Sequence, residues 1–184
     1  MIIREMIDIV PLNRNDRELF IRDNQYAFRY GATEEFGLRD SHFEEDGEII
    51  SRKTIEACID APNAETYRIM LGDAPVGGVV IHTDGMGRGT LDLLFVAPCA
   101  HGNGVGYAAW QAIERLHPEI LVWETVTPYF EKRNIHFYVN RCGFHIVEFF
   151  NSHHPDPNEP DIPYSETDDG DGMFRFEKHM RDAK

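Results

Sequence analysis

Apolar and polar positions along the 184-residue chain change period several times, and each change marks an element. Residues 91–96, Leu-Asp-Leu-Leu-Phe-Val, are a short and mostly apolar run, which predicts a strand covered on both faces. From Val105 the positions Val105, Ala109, Ala112, Ile113 and Leu116 repeat at helical spacing, which predicts a helix stopped by Pro118. Upstream, residues 2–10 predict an opening strand closed by Pro11. Asn15-Asp16-Arg17-Glu18 has the form of a capping box, and Phe20, Tyr26, Phe28 and Tyr30 follow at spacings that suit a helix ending near Gly31. Residues 32–50 are acidic and aperiodic, which predicts a loop, and 51–60 predict a helix with Ile55, Cys58 and Ile59 on one face. Strands follow at 65–71 and 76–82, and the turn-rich 83–89 predicts a hairpin leading into 91–96. A further strand at 120–126 should run parallel to 91–96, because a helix separates them and the crossover is right-handed. A helix over 129–142, strands over 145–150 and 173–180, and a Pro- and Asp-rich surface loop over 151–172 complete the chain. The sum is one domain, residues 1–184, of α/β (α+β) class around a mixed, mostly antiparallel sheet with flanking helices.

Composition narrows the function. Apolar residues at 42% and charged residues at 27% are ordinary for a globular protein, and no stretch is apolar for long enough to cross a membrane. The start, MIIREMIDIV, lacks the basic region, apolar block and cleavage site of a signal peptide, so a cytoplasmic location is expected. A formal charge of -14 excludes a nucleic-acid partner, which needs a basic stripe. It suits a cationic partner such as an amine, or serves solubility alone. Cys58, Cys99 and Cys142 are odd in number and widely spaced, which predicts buried free thiols. His153-His154-x-Asp156 has metal-capable groups, but adjacent side chains diverge and no spaced Cys/His set accompanies them, so no metal is expected.

Between the strand at 91–96 and the helix from Val105 lies His101-Gly102-Asn103-Gly104-Val105-Gly106. Alternating glycines at a helix mouth leave backbone N–H groups uncovered at the positive end of the helix dipole, which suits a phosphate. The same glycines also serve a plain strand-to-helix turn. G-x-x-x-x-G-K-[ST] is absent and the spacing is not G-x-G-x-x-G, which sets aside a P-loop and weakens a dinucleotide site.

The pattern V-x-P-x-x-H-x-x-G-x-G over 96–106, followed by Asn134-Ile135-His136-Phe137-Tyr138 and Cys142-Gly143-Phe144, resembles the GNAT superfamily of acetyl-CoA-dependent N-acetyltransferases. The resemblance covers about 65–180 and implies two parallel central strands that splay apart. By that resemblance the amides of His101, Gly102, Asn103, Gly104, Val105 and Gly106 hold the pyrophosphate of coenzyme A. The backbone of Leu94, Phe95 and Val96 pairs with its pantetheine arm, and Asn134 adds a cofactor contact. The implied acceptor is the amine of a small molecule or peptide, and a homodimer is compatible with the family. His101 departs from the usual Gln or Arg. The family's tyrosine lies four residues before the glycine of the Gly-Phe pair, where this chain has Val139; Tyr138 is one residue earlier, about 100° around an α-helix. A catalytically silent acyl-CoA-binding module is the alternative reading.

An amine attacks only when neutral, and with a lysine-like pKa of about 10.4 this costs roughly 4.6 kcal/mol at pH 7, which calls for a general base. Asp92, the one charge in the run 91–96, is the first candidate, and a hydrogen-bonded strand residue is its structural counterpart. Glu124, similarly placed in 121–126, comes second, with an ion-pair partner as the competing role, and His82 third. Tyr138 could give the departing thiolate a proton or sit in the core with its hydroxyl engaged. Cys99 borders the loop, but the family's direct transfer leaves it no covalent role.

Overall fold

The computed structural model describes residues 7–35, 43–158 and 172–180. The predicted strand's residues 2–6, part of the acidic segment (36–42) and most of the predicted long loop (159–171) lie outside them. The chain forms two compact units, Met1–Asp84 with Leu91–Pro118, and Gly85–Thr90 with Glu119–Lys184. The strands are β1 (Ile7–Pro11), β2 (Ala64–Leu71), β3 (Ala74–Thr83), β4 (Arg88–Val96), β5 (Val122–Pro128), β6 (His145–Phe150) and β7 (Met173–His179). Their hydrogen-bonding order is β1-β2-β3-β4-β5-β7-β6. The expected mixed, mostly antiparallel sheet with flanking helices is present, and its parallel pair is β4 with β5.

In the first unit β1 and β2 pair antiparallel from Ile7↔Leu71 to Pro11↔Tyr67, and β2 pairs antiparallel with β3. Helices α1 (Arg17–Thr33) and α2 (Arg52–Ile59) bury Phe20, Ile21, Ala27 and Ile55 with Ile50, Val80, Leu93 and Phe95. Phe20 meets Phe95 edge to face at 5.2 Å between ring centroids. Gly78 makes room for that pair, since a Cβ there would lie 2.3 Å from the Phe20 ring and 2.6 Å from the Phe95 ring. Ser51 caps α2 by accepting the Thr54 N–H at 3.1 Å. The predicted capping box does not form. Asn13 instead accepts from the Asn15 N–H at 3.0 Å, opening a short 3₁₀ turn over Arg14–Asp16. Asn15 lies inside that turn, Glu18 pairs with Arg52 at 2.9 Å, and Asp16 between them pairs with the buried Arg68, which is also paired with Asp23 at 2.9 Å and lies 5.2 Å from the centre of the Phe20 ring. Both carboxylates of that stretch are thus drawn to distant guanidinium groups, and a buried cation left unpaired would cost several kcal/mol. Helix α3 (Val105–Leu116) begins where the period changes and ends before Pro118.

In the second unit the parallel ladder joins Arg88↔Val122, Gly89↔Trp123 and Thr90↔Glu124, upstream of the predicted 91–96. Strand β7 pairs antiparallel with both β5 and β6. The helix predicted from 129 starts later, as α4 (Lys132–His136), and continues as a π-helical turn over Phe137–Cys142. Trp123, Phe144, Phe150 and Phe176 form the fully buried aromatic core, with Tyr138 and Cys142 beside them. None of the three cysteines forms a disulfide, but Cys99 is exposed and Cys58 half-buried, so the expected burial holds for Cys142 alone. Among the described residues no helix is long and apolar enough to cross a membrane.

Candidate functional site

Burial alternates along β4 in the first unit: Leu91, Leu93 and Phe95 are buried, while Asp92, Leu94 and Val96 are half-exposed. The core on one side fixes that phase, since slipping the strand by one residue would expose Leu93 and Phe95. The chain then leaves the sheet. Ala97 N–H reaches Val76 O at 2.8 Å, and Pro98–Ala100 makes a 3₁₀ turn that delivers the glycine-rich segment to the mouth of α3. Gly102 (φ 78°) and Gly104 (φ 75°) both take the left-handed conformation that side chains resist. Around Gly102 no atom lies within 4 Å of where a Cβ would be, so the turn faces open space.

Among the described residues, no hydrogen bond satisfies the backbone N–H groups of Gly102, Asn103, Gly104, Val105 and Gly106. Helix geometry leaves the first-turn donors without intrahelical partners, and here no side chain caps them and no acidic residue occupies the first turn. Five free donors at the positive end of a twelve-residue helix suit an anion such as a pyrophosphate.

His101 does not point outward. Its Nε2 donates to Val96 O at 2.8 Å, and its Nδ1 lies 3.0 Å from Glu35 Oε1, a contact that holds a proton between them. The ring also meets Tyr30 edge to face at 6.1 Å. The residue standing where the family favours Gln or Arg is therefore used internally, tying the loop to β4 and to the end of α1. Glu35 was invisible to sequence reasoning, because 66 residues separate it from its partner.

Asp92 pairs with His82 at the end of β3, Oδ2 to Nδ1, at 2.8 Å. Burial pushes the Asp92 carboxyl above its usual range, and the hydrogen bond and charge of His82 only partly offset this. The first and third base candidates thus form one unit.

In the second unit Glu124 forms an ion pair with Arg88 and a looser one with Arg175 at 3.5 Å. Arg175 also holds Glu177 at 2.7 Å and Glu148 at 2.9 Å. A carboxylate embraced by two guanidinium groups has its lone pairs engaged, which favours the ion-pair role for Glu124. Asn134 is exposed and donates to Thr127 Oγ1 at 3.2 Å. Tyr138 packs against Phe137, Phe144 and Phe176 at 5.5–5.7 Å, with a hydrogen bond between its hydroxyl and Thr125. Burial pushes that hydroxyl up to about 12. Alternate threonines of β5 thus engage both side chains expected from the later helix.

The π-helical turn changes the register of Tyr138. Gly143 N–H bonds to Tyr138 O, five residues back, where an α-helix would bond four back. The extra residue in the turn brings Tyr138 one helical turn before Gly143, so the offset of about 100° expected for an α-helix does not apply.

A family model described as "Acetyltransferase (GNAT) family" matches residues 25–144. An uncharacterised protein of Bacillus subtilis (strain 168), YrkN, is 44% identical over 174 residues, covering 91% of this chain and 90% of that one. A GNAT family acetyltransferase from Elizabethkingia anophelis, solved with acetyl-CoA bound, superposes with a TM-score of 0.64 at 13% identity over 96% of this chain and 99% of that one. Spermidine N-acetyltransferase from Vibrio cholerae, solved with CoA and spermine, also gives 0.64, at 10% identity over 95% and 96% of the two chains. At these identities the superpositions show a shared fold, while the family model covers well over half of the chain. With the strand, glycine turn and helix all in their expected places, the chain belongs to the GNAT acetyltransferase family.

Proposed function

We propose that the protein transfers an acetyl group from acetyl-CoA to a primary amine of a small molecule or peptide, by direct attack in a ternary complex. The observation that carries the donor assignment is the row of unsatisfied amides from Gly102 to Gly106 at the mouth of α3, with open space around Gly102. Each charge-assisted hydrogen bond to a phosphate contributes about 1.5–3 kcal/mol, enough for a few amides to outweigh the repulsion of a -14 protein screened over roughly 8 Å. The backbone of Leu94, Phe95 and Val96 is the proposed pantetheine contact, with His101 bracing the loop from behind. Asn134 is a proposed cofactor contact that would exchange its bond to Thr127. The bound thioester supplies an activated acetyl carbon; the chain supplies anion binding, orientation and proton removal. The acidic charge favours a cationic acceptor, and a single cytoplasmic domain spanning 1–184 is part of the same reading.

Calorimetry with acetyl-CoA, followed by thiol release across a panel of amines, tests the proposal. Micromolar binding and turnover on at least one amine are expected. Binding without turnover on any amine would establish a silent acyl-CoA-binding module instead.

A further inference from the structure

The pair His82–Asp92 carries a division of labour that neither residue shows alone, and it rests on the acetyl-transfer reading above. A carboxylate can only accept, so at 2.8 Å the hydrogen in the contact belongs to His82 Nδ1. In a neutral ring that tautomer leaves the lone pair on Nε2. No described residue bonds to Nε2, and the His82 side chain is 41% exposed against 17% for Asp92. The more exposed side chain of the pair, with an unbonded acceptor nitrogen, is therefore the imidazole.

We infer that His82 is the general base for the acceptor amine, taking the proton on Nε2, and that Asp92 is a positioning residue that fixes its tautomer and holds the imidazolium. The half-buried carboxylate, raised by desolvation, is relieved when the neighbouring ring becomes positive, so the pair is stabilised by the proton transfer it performs. The protons balance as follows. The acceptor arrives as an ammonium ion and gives one proton to Nε2, which returns it to solvent. The freed nitrogen lone pair bonds to the acetyl carbon, and the thioester C=O opens to an oxyanion. When the C=O re-forms, the carbon–sulfur bond breaks, sulfur leaves with the electron pair, and the remaining surplus proton on nitrogen ends on the sulfur. One ammonium ion and one thioester become one amide, one thiol and one released proton.

The test compares wild-type, His82→Gln, Asp92→Asn and Asp92→Glu proteins in steady-state kinetics on the best amine, with thermal unfolding as the fold control. His82→Gln is expected to lower kcat by about 10²–10⁴-fold while the KM for acetyl-CoA stays within twofold. Asp92→Asn should lower kcat less, with Asp92→Glu recovering part of the loss. Nitrogen-detected NMR reads the tautomer directly, while the kcat-against-KM split and the partial rescue by Asp92→Glu separate a positioning role from a structural one. The His82 ring should carry its hydrogen on Nδ1 in the wild type and shift toward Nε2 in Asp92→Ala. Wild-type turnover in His82→Gln would overturn the inference and leave acetyl transfer standing. A folded Asp92→Asn variant less active than His82→Gln would reverse the two roles. Absence of turnover in the wild-type protein would overturn the acetyl-transfer reading and this inference with it.

Discussion

Asp92 and Glu124 begin alike, each the one carboxylate in a short apolar strand, and they end in opposite surroundings. Asp92 has a single partner, an imidazole with a free edge, and its carboxyl is pushed up by burial. Glu124 lies in a lattice of guanidinium groups, with Arg88 from β4 and Arg175 from β7 both on it. The strand register explains the difference. Glu124 pairs with Thr90 and Glu177, and the arginines stand two residues along on the neighbouring strands, within diagonal reach. The lesson is that a lone carboxylate in an apolar run takes its chemistry from cross-strand neighbours, not from the run itself. A neighbour that can give up its proton makes a reactive pair, and neighbours that cannot make a structural one.

The contrast breaks most sharply in turnover. Asp92→Asn should lower kcat at least about tenfold with little change in acetyl-CoA affinity, whereas Glu124→Gln should leave turnover within about twofold. Equal losses in the two variants, measured side by side, would erase the distinction. Next in size is the loop on which acetyl-CoA is proposed to bind. Gly104→Val forces a branched side chain into φ 75°, and at about 1–2 kcal/mol the strain should raise the acetyl-CoA Kd on the order of tenfold. Unchanged binding by calorimetry would remove the turn from the site.

Smaller effects sharpen the structural side. Glu124→Gln should lower the melting temperature by about 2–4 °C, the equivalent of roughly 1 kcal/mol in a chain of this size. Acid should act on the same lattice. His154 and then Arg175 hold Glu148 below its ordinary range, and Arg175 with His179 and Arg88 does so for Glu177. A depressed carboxylate contributes stability that is fully present above its unfolded pKa of about 4.3 and is lost as pH falls through the lower folded value. Resistance to urea should therefore weaken from about pH 4.5 downward, and Glu177→Gln should flatten that slope. The smallest effect is expected from Tyr138→Phe. Burial, which pushes this hydroxyl up to about 12, disfavours its giving a proton to a thiolate, so turnover should change less than about threefold. Loss of its bond to Thr125 should cost about 1 kcal/mol of stability. A large kinetic loss without a stability change would return Tyr138 to the chemistry.

Local features were legible in the sequence because their causes are local. The helix from Val105, its stop before Pro118 and the strand through Leu91–Val96 follow from apolar period and from residues that forbid continuation. So does the glycine turn, since φ near 75° at Gly102 and Gly104 is a property of glycine itself. Caps were less legible: in the predicted box Asn15 falls inside a 3₁₀ turn and Glu18 is claimed by Arg52, 34 residues away. The later helix was visible as a helix, but its π-helical turn was not, because the wider turn leaves no local mark in Phe137–Cys142.

The sequence by itself determined the class of the fold, the family and the backbone half of the proposed donor site, all of which depend on period, glycine and helix dipole. The tertiary structure decided the side-chain half. It paired Asp92 with His82 rather than with a guanidinium, turned His101 inward onto Val96 and Glu35, and carried Tyr138 onto Thr125. The physical reason is one of range. Backbone donors are oriented by their own few residues, whereas a titrating side chain takes its properties from desolvation and from charges within a few ångströms, brought there by strands and helices far apart in the chain.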